Sequence, residues 1–437
     1  MTFCLLLSAG LHAARAQPVH PPPTAAAAPD ATVPGSELTV YLMTMGPGDE
    51  VWEKFGHNAI WIHDSLRHTD VAYNWGLFDF AAKDFFPRFL KGDMRYWMGG
   101  FDQQGTLQFY RDANRPVWAQ ELNFTPQQRV SLAQFVEWNA QPENRFYHYD
   151  YFRDNCSTRV RDALDRALGG VIAGATQRAP TGTTYRFHTR RLTQDVTWVY
   201  LGTLLGLGEP VDRPISRWEE MFLPVRLHDD IRGIRVRDAS GRSVPLVKSE
   251  TVLFASTREP ERPEPTDHIA VYLVAGMLLL VAVLLLRHLA NAGDKRARLA
   301  LLVVAGLWNL AVGIAGTGLA TLWAFTNHVY SYYNENLLQA NPLSLVLAVA
   351  VLASLWRSES ENRAPVVGGR TEQLAWLVAG IALAGFALQI LPAFNQVNGE
   401  IIALLLPAHV GIALALCRRC PIWRAKSGLD TAGQTAS

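Results

Sequence analysis

Apolar residues are spread unevenly along the chain. Up to about residue 265 they come in short alternating or helical groups, and from about Ile269 they come in long unbroken runs. The run "IAVYLVAGMLLLVAVLLL" at 269–286 is close to the ~20 apolar residues needed to cross the hydrocarbon core of a bilayer. Comparable runs near 299–325, 341–356, 372–393 and 400–417 predict an all-helical membrane bundle of about five spans within 266–420. The third run is short unless Leu337 and Leu338 join it.

Ahead of the bundle the pattern predicts a mixed α+β domain over 37–265. "SELTVYLMTM" (36–45) and "NAIWIHD" (58–64) alternate as strands, and "DFFPRFLKG" reads as a short helix or turn closed by Gly92. "MRYWMGG", "TLQFYR" and "VWAQELNF" read as further strands. A helix follows Thr125, with Pro126 at its first position and Gln128 completing a capping box. "NRFYHYDYFRD" is extended, and "NCSTRVRDALDRALGG" is a helix whose stripe is Val160, Ala163, Leu164, Ala167 and Leu168, capped by Asp154 or Asn155 and closed by Gly169. A helix over 192–207 and a strand pair around 242–254 complete the domain.

Composition changes the picture at the N-terminus. "MTFCLLLSAGLHAARAQ" ends in an A-x-A pattern, a secretory signal at 1–16, followed by a Pro/Ala-rich tether at 17–36. No Lys or Arg precedes its apolar run, so either the true start lies upstream or the signal is weak. The formal net charge of +1 carries no nucleic-acid footprint.

Charge also sets topology. Arg287, Lys295, Arg296 and Arg298 follow the first span; Arg357, Arg363 and Arg370 follow the third; and Arg418, Arg419, Arg424 and Lys426 follow the fifth. The other two loops, "TNHVYSYYNENLLQAN" and "PAFNQVNGE", contain no Lys or Arg. The positive-inside rule therefore places the basic loops and the tail (421–437) in the cytoplasm and the α+β domain outside. In a Gram-negative cell this is an inner-membrane protein with a periplasmic domain.

That topology isolates one thiol. Cys4 lies in the signal, and Cys417 and Cys420 form a C-x-x-C at the cytoplasmic end of the last span, either a weak metal or redox motif or a bland juxtamembrane pair. Cys156 is the sole cysteine of the exported domain, so it has no partner there for a disulfide. It falls in the first turn of its helix, where unpaired N–H groups favour a thiolate, and Arg153, Arg159 and Arg161 add positive potential. From these facts nucleophile and buried core residue are equally open. A nucleophile needs a base, and His57, His63, His68, His148, His188 and His228 are the choices. His57 opens a strand, which would hold its ring rigidly at a sheet edge.

"FGHNAIWI", then "YNWGLFDF", then "YFRDNCSTRVRDAL" resembles the Lnb-type lipoprotein N-acyltransferase family, and "YYNENLLQANPLSL" (332–345) is similar to that family's membrane half. The resemblance implies a permuted papain-like (NlpC/P60-like) exported domain, in which the histidine strand precedes the cysteine helix. It implies Cys156 as nucleophile and His57 as base, with no metal or other cofactor. The orienting third residue stays open among Asp70, Asn74 and Asp79; Asn155 is a candidate cap or oxyanion neighbour, and Arg159 a candidate phosphate partner. His328, Asn334, Glu335 and Asn336 either meet the substrate or merely dock the two halves. The implied partners are a phospholipid acyl donor, a lipoprotein acceptor and the lipid bilayer. The alternatives are a papain-like amidase or peptidase of cell-envelope peptides, and a non-enzymatic membrane scaffold. Five spans speak against a murein hydrolase, which needs at most one anchor.

Overall fold

The computed structural model describes residues 33–357, 366–418 and 420. The expected signal, most of the tether, Arg363, Arg419 and the tail with Arg424 and Lys426 lie outside the described residues.

The first elements along the chain are β1 (Leu38–Met45), β2 (His57–Asp64), β3 (Thr69–Leu77), α1 (Phe85–Lys91), β4 (Arg95–Asp102), α2 (Gln103–Asp112), β5 (Val117–Leu122), α3 (Pro126–Asn139), β6 (Phe146–His148) and α4 (Cys156–Ala167). After them come α5 (Val171–Thr176), β7 (Pro180–Thr184), α6 (Tyr185–Thr193), α7 (Thr197–Gly206), β8 (Pro214–Ser216), α8 (Arg217–Glu220), α9 (Pro224–Ile231), β9 (Arg235–Arg237), β10 (Ser243–Pro245) and β11 (Val247–Phe254). Seven strands form one antiparallel sheet in the order β11-β5-β1-β2-β3-β4-β6.

The two-residue period of the strands gives the sheet two apolar faces. Leu42, Ile60 and Trp75 meet the Leu132, Val160 and Leu227 side chains of α3, α4 and α9 on one face. Met43, Met45, Ala59 and Ala72 meet α2 through Leu107 and Tyr110 on the other. The strand expected at 106–111 is therefore corrected: it lies within α2. Asp102 caps that helix by accepting from Gly105 N–H at 2.7 Å, and the buried residues Leu107 and Tyr110 are three apart while Phe109 faces solvent. The aromatic and apolar alternation there imitated a strand. The pair expected at 242–254 also divides: β10 pairs with β9, and β11 joins the large sheet beside β5. The expected capping box holds, with Gln128 N–H bonded to Thr125 Oγ1 at 3.3 Å, and of the two expected caps for α4 it is Asn155 that serves.

Among the described residues, five helices are long and apolar enough to cross a bilayer: α10 (Ile269–Asn291), α11 (Lys295–Phe325), the stretch ending in α12 (Leu343–Arg357), α13 (Gly369–Leu388) and α14 (Gly399–Leu416). Leu337 and Leu338 do lengthen the third span, but as a separate 3-10 turn (Glu335–Leu338) ahead of Asn341 and Pro342. His409, unusual for a membrane span, bonds through Nε2 to Gln339 O at 2.8 Å inside the bundle. Glu400 is buried at the top of α14, accepting from Tyr200 Oη at 2.9 Å, from Arg190 Nη2 at 3.1 Å and from His268 N–H at 3.0 Å. These bonds join the bundle to α6 and α7 of the sheet-bearing part. Tyr330, in the loop after α11, is buried in a cluster with Phe152, Tyr185 and Phe222 and donates to Asp150 Oδ1 at 2.8 Å.

Candidate active site

Strand β2 pairs with β3 only from Ala59 onward, where Ala59 faces Asn74, although both strands continue past that point. The result is a fork between the start of β2 and the end of β3. Gly76 stands on one prong at φ +89°, a conformation that side chains rarely adopt. A Cβ there would lie 3.3 Å from Cys156 Cβ. The missing side chain is the space that the Cys156 side chain occupies. On the other prong, Asn58 N–H faces the thiol, together with the N–H groups of Ser157 and Cys156 itself.

The N-terminus of α4 is pinned into this fork. Asn155 Oδ1 accepts from Ser157 N–H at 2.9 Å and Thr158 N–H at 3.0 Å, while its amide donates to Tyr151 O at 3.0 Å and Phe222 O at 2.9 Å. Ser157 Oγ donates to Met221 O at 2.7 Å and also meets Asn58 Oδ1 at 2.8 Å, tying α4 to β2. Every polar atom of the Asn155 side chain is used in holding the helix, so it presents nothing to a reacting group.

His57, next to Asn58, bonds Nε2 to Asn74 Oδ1 at 3.0 Å. Asn74 Nδ2 in turn donates to Ala72 O at 3.0 Å. That second bond orients the amide with its oxygen toward the ring, so Nε2 carries the proton and Nδ1 is the unprotonated nitrogen. The ring lies parallel to Tyr110 with centroids 6.3 Å apart. Arg115, buried behind Tyr110 with its guanidinium 4.7 Å from that ring, is paired with Glu53 at 2.9 Å.

Burial decides the electrostatics. It pushes the Cys156 thiol up to about 11, against the N–H groups of Asn58, Ser157 and Cys156. It holds His57 down to about 4, against the Asn74 bond and with a smaller push from Arg115. Burial thus favours a neutral thiol and a neutral imidazole, against the thiolate expected from the helix N-terminus. The nearby arginines do not offset the burial because each is engaged elsewhere: Arg159 with Asp154, Arg161 with Asp162 at 2.7 Å, and Arg153 over Tyr330.

Of the three candidates for the orienting residue, only Asn74 reaches His57 in the hydrogen bonds described. Asp70 accepts from Trp61 Nε1 at 2.7 Å and meets His63 Nδ1 at 3.0 Å, one strand-length away. Asp79 is exposed and accepts from Ala81 N–H at 2.8 Å in a turn. Two tyrosines were not picked out from the sequence. Tyr147 and Tyr149 are held far above the usual phenol range by burial, and the charge of a Cys156 thiolate would raise both further. Tyr147 Oη is buried close to Gly76, whose backbone N–H bears on it, and its O–H has no acceptor among the described residues. Arg159 lies 4.2 Å over the Tyr147 ring. The alternating "RFYHYDYF" signalled exposed and buried rings without telling which way they face.

The outer-loop residues divide. Asn334 donates to Leu205 O at 2.8 Å, Asn336 to Leu204 O at 2.9 Å, and Glu335 Oε2 accepts from Gln389 at 2.6 Å. All three are buried, and these bonds tie the loop to the end of α7 and to α13. His328 is different: its Nε2 lies 2.8 Å from Phe89 O and its ring stacks on Tyr151, toward the Cys156 side of the fold.

Residues 25–191 match the family model described as the Lnb N-terminal periplasmic domain, and residues 268–368 match the one described as the Lnb transmembrane domain. No curated protein and no solved structure matches the chain.

Proposed function

Because the chain belongs to the Lnb family, as a multi-pass membrane protein with a periplasmic N-terminal domain, we propose that it is a cysteine-dependent N-acyltransferase of lipoprotein maturation. In this reading Cys156 accepts an acyl chain from phospholipid and passes it to the N-terminal amine of a lipoprotein. The observation that carries the reading is the Cys156 side chain seated in the β2/β3 fork with Asn58 N–H facing its thiol, directly after a histidine whose tautomer Asn74 sets. A cysteine at a helix start against a histidine strand, with an amide oxygen on the far ring nitrogen, also supports a permuted papain-like domain.

With both groups neutral at rest, the thiol proton moves to His57 Nδ1 as sulfur attacks the ester carbonyl. The Cys156 N–H and the Tyr147 hydroxyl are the donors available to the oxyanion. The intermediate collapses with C–O cleavage, and the leaving lysophospholipid alkoxide takes the proton from His57. A thioester remains. The lipoprotein amine then attacks it, His57 removes the ammonium proton, and the same proton returns to the departing sulfur. One nucleophile accepts the chain and another removes it, so no external energy source enters.

The domain occupies about 37–265, the bundle 266–420, and the C-terminus faces the cytoplasm of an inner membrane, in keeping with outer loops that contain no Lys or Arg. Mass spectrometry of lipoprotein N-termini, in a strain lacking N-acylation and complemented with this protein, tests the function. Triacylated N-termini are expected, and their absence alongside released cell-wall peptide would establish the amidase reading instead. Cys156→Ser that still restores N-acylation sinks the mechanism.

A further inference from the structure

Helix α1 presents an apolar face on the sheet-bearing part next to the loop that follows α11. Its Phe86 is 63 % exposed and its Leu90 is 67 % exposed, and one helical turn puts both on the same face. The helix ends at Gly92, at φ +76°, where a Cβ would lie 2.9 Å from both Asn327 C and His328 N. Asn327 N–H donates to Lys91 O at 2.8 Å, and His328 meets Phe89 O at 2.8 Å.

Those contacts fix the depth of α1. Residues 327 and 328 directly follow α11, which has 31 residues and therefore spans roughly 46 Å. That is about the full thickness of a bilayer with its headgroups, ~40–45 Å. The end of α11 also exposes Trp323, packed on the exposed Tyr333 of the following loop, and Trp and Tyr are the side chains favoured at a membrane–water boundary. Helix α1 is thus clamped at the outer headgroup layer, with two large apolar side chains open to it. Exposed lysines at 83 and 91 flank it, long enough to reach phosphates.

From α1 a file of rings runs inward. Phe89 lies 6.3 Å from Phe85, Phe85 lies 6.0 Å from Phe78, Phe78 lies 5.0 Å from Tyr96, and Tyr96 lies 4.2 Å from Tyr149. Tyr149 is near enough to Cys156 to feel its charge. We propose that α1 sits in the outer leaflet with Phe86 and Leu90 among the lipid chains, and that the donor acyl chain follows the ring file from Phe89 to Tyr149 at the thiol. The membrane seat stands on the geometry of α1 alone; the acyl path rests on the acyltransferase reading above.

Two experiments separate these parts. The full chain carrying Cys156→Ser is placed in phospholipid nanodiscs with p-benzoylphenylalanine at position 86, 90, 78 or 138, and irradiated. Lipid adducts are expected at 86, 90 and 78 and not at 138, where Trp138 is comparably exposed on α3. No adduct at 86 and 90, or equal adducts at 138, overturns the membrane seat; no adduct at 78 overturns the path. In the second experiment, acylation of Cys156 is followed by mass spectrometry with either phospholipid vesicles or a water-soluble short-chain aryl ester as donor. Phe86→Asp with Leu90→Asp should slow acylation from vesicles by at least about tenfold and leave the soluble donor unaffected. An equal loss with both donors, or no loss, overturns the proposal. If the unaltered protein is acylated by neither donor, the thioester reading fails, while the nanodisc adducts still decide the membrane seat.

Discussion

Asn74 Oδ1 lies 3.0 Å from His57 Nε2, and the Asn74 amide is itself held by Ala72 O on its own strand. The asparagine therefore selects which imidazole nitrogen carries the proton without adding a charge. Asn74→Ala should lower kcat about 10- to 100-fold and change KM little, because only proton transfer suffers. Asn74→Asp should restore the ring orientation and raise the His57 pKa. Steady-state transfer assays on both variants distinguish orientation from simple loss of fold.

The pH response follows from burial. His57 titrates at about 4 in the folded chain rather than at its ordinary value. With the neutral imidazole as the proposed base, activity should hold as pH falls past the usual histidine range and decline only below about pH 5. The stability sign agrees: the depressed pKa favours the folded state above the ordinary histidine value, and this contribution is lost as pH falls through about 4. The thiol, raised to about 11, should alkylate slowly at neutral pH, with a rate that climbs through alkaline pH. Iodoacetamide labelling against pH measures it; a plateau already reached at pH 7 would contradict a neutral resting thiol.

Gly76→Ala tests the fork. Its Cβ would meet Cys156 Cβ at 3.3 Å from a backbone at φ +89°. A strained backbone of this kind costs about 1–3 kcal/mol. A lowered Tm is expected together with a loss of activity greater than instability alone explains, since the cysteine is displaced. Differential scanning fluorimetry and the transfer assay, run on the same sample, read both effects.

The lock at Glu400 predicts a stability effect far from the thiol. Glu400→Ala leaves Arg190 and Tyr200 without their shared acceptor at the junction of the two halves. Removing one partner of a buried ion pair typically costs about 3–5 kcal/mol. Thermal unfolding in detergent should shift down clearly, whereas Glu400→Gln, which keeps an acceptor oxygen, should lose less.

Much of this arrangement could be read from the chain because it rests on local signals. The cap at Asn155 and the helix after it, the Thr125 capping box, and the apolar runs of the bundle all depend on neighbours within a turn or two. The strand misread at 106–111 depends on something non-local: whether Leu107 and Tyr110 meet a sheet, and on which side. The choice among Asp70, Asn74 and Asp79 likewise turned on register. A shift of two residues in the β2/β3 pairing would bring a different side chain beside His57. The high thiol pKa was hidden for the same reason, since a helix start promises a thiolate only when the site stays wet. Asn334, Glu335 and Asn336 looked the same for docking as for substrate contact until the carbonyls of α7 were placed against them.

Tyr330 has a consequence for how the molecule is made. It belongs to the loop after the second membrane helix, yet its ring completes a cluster built from Phe152, Tyr185 and Phe222. During synthesis those three residues leave the ribosome more than a hundred positions earlier. The periplasmic part must therefore wait, with an open pit beside α4, until two helices have been inserted and the loop has crossed. Maturation of the catalytic part is thereby coupled to membrane insertion, and a fragment cut before the first span would lack a piece of its own interior.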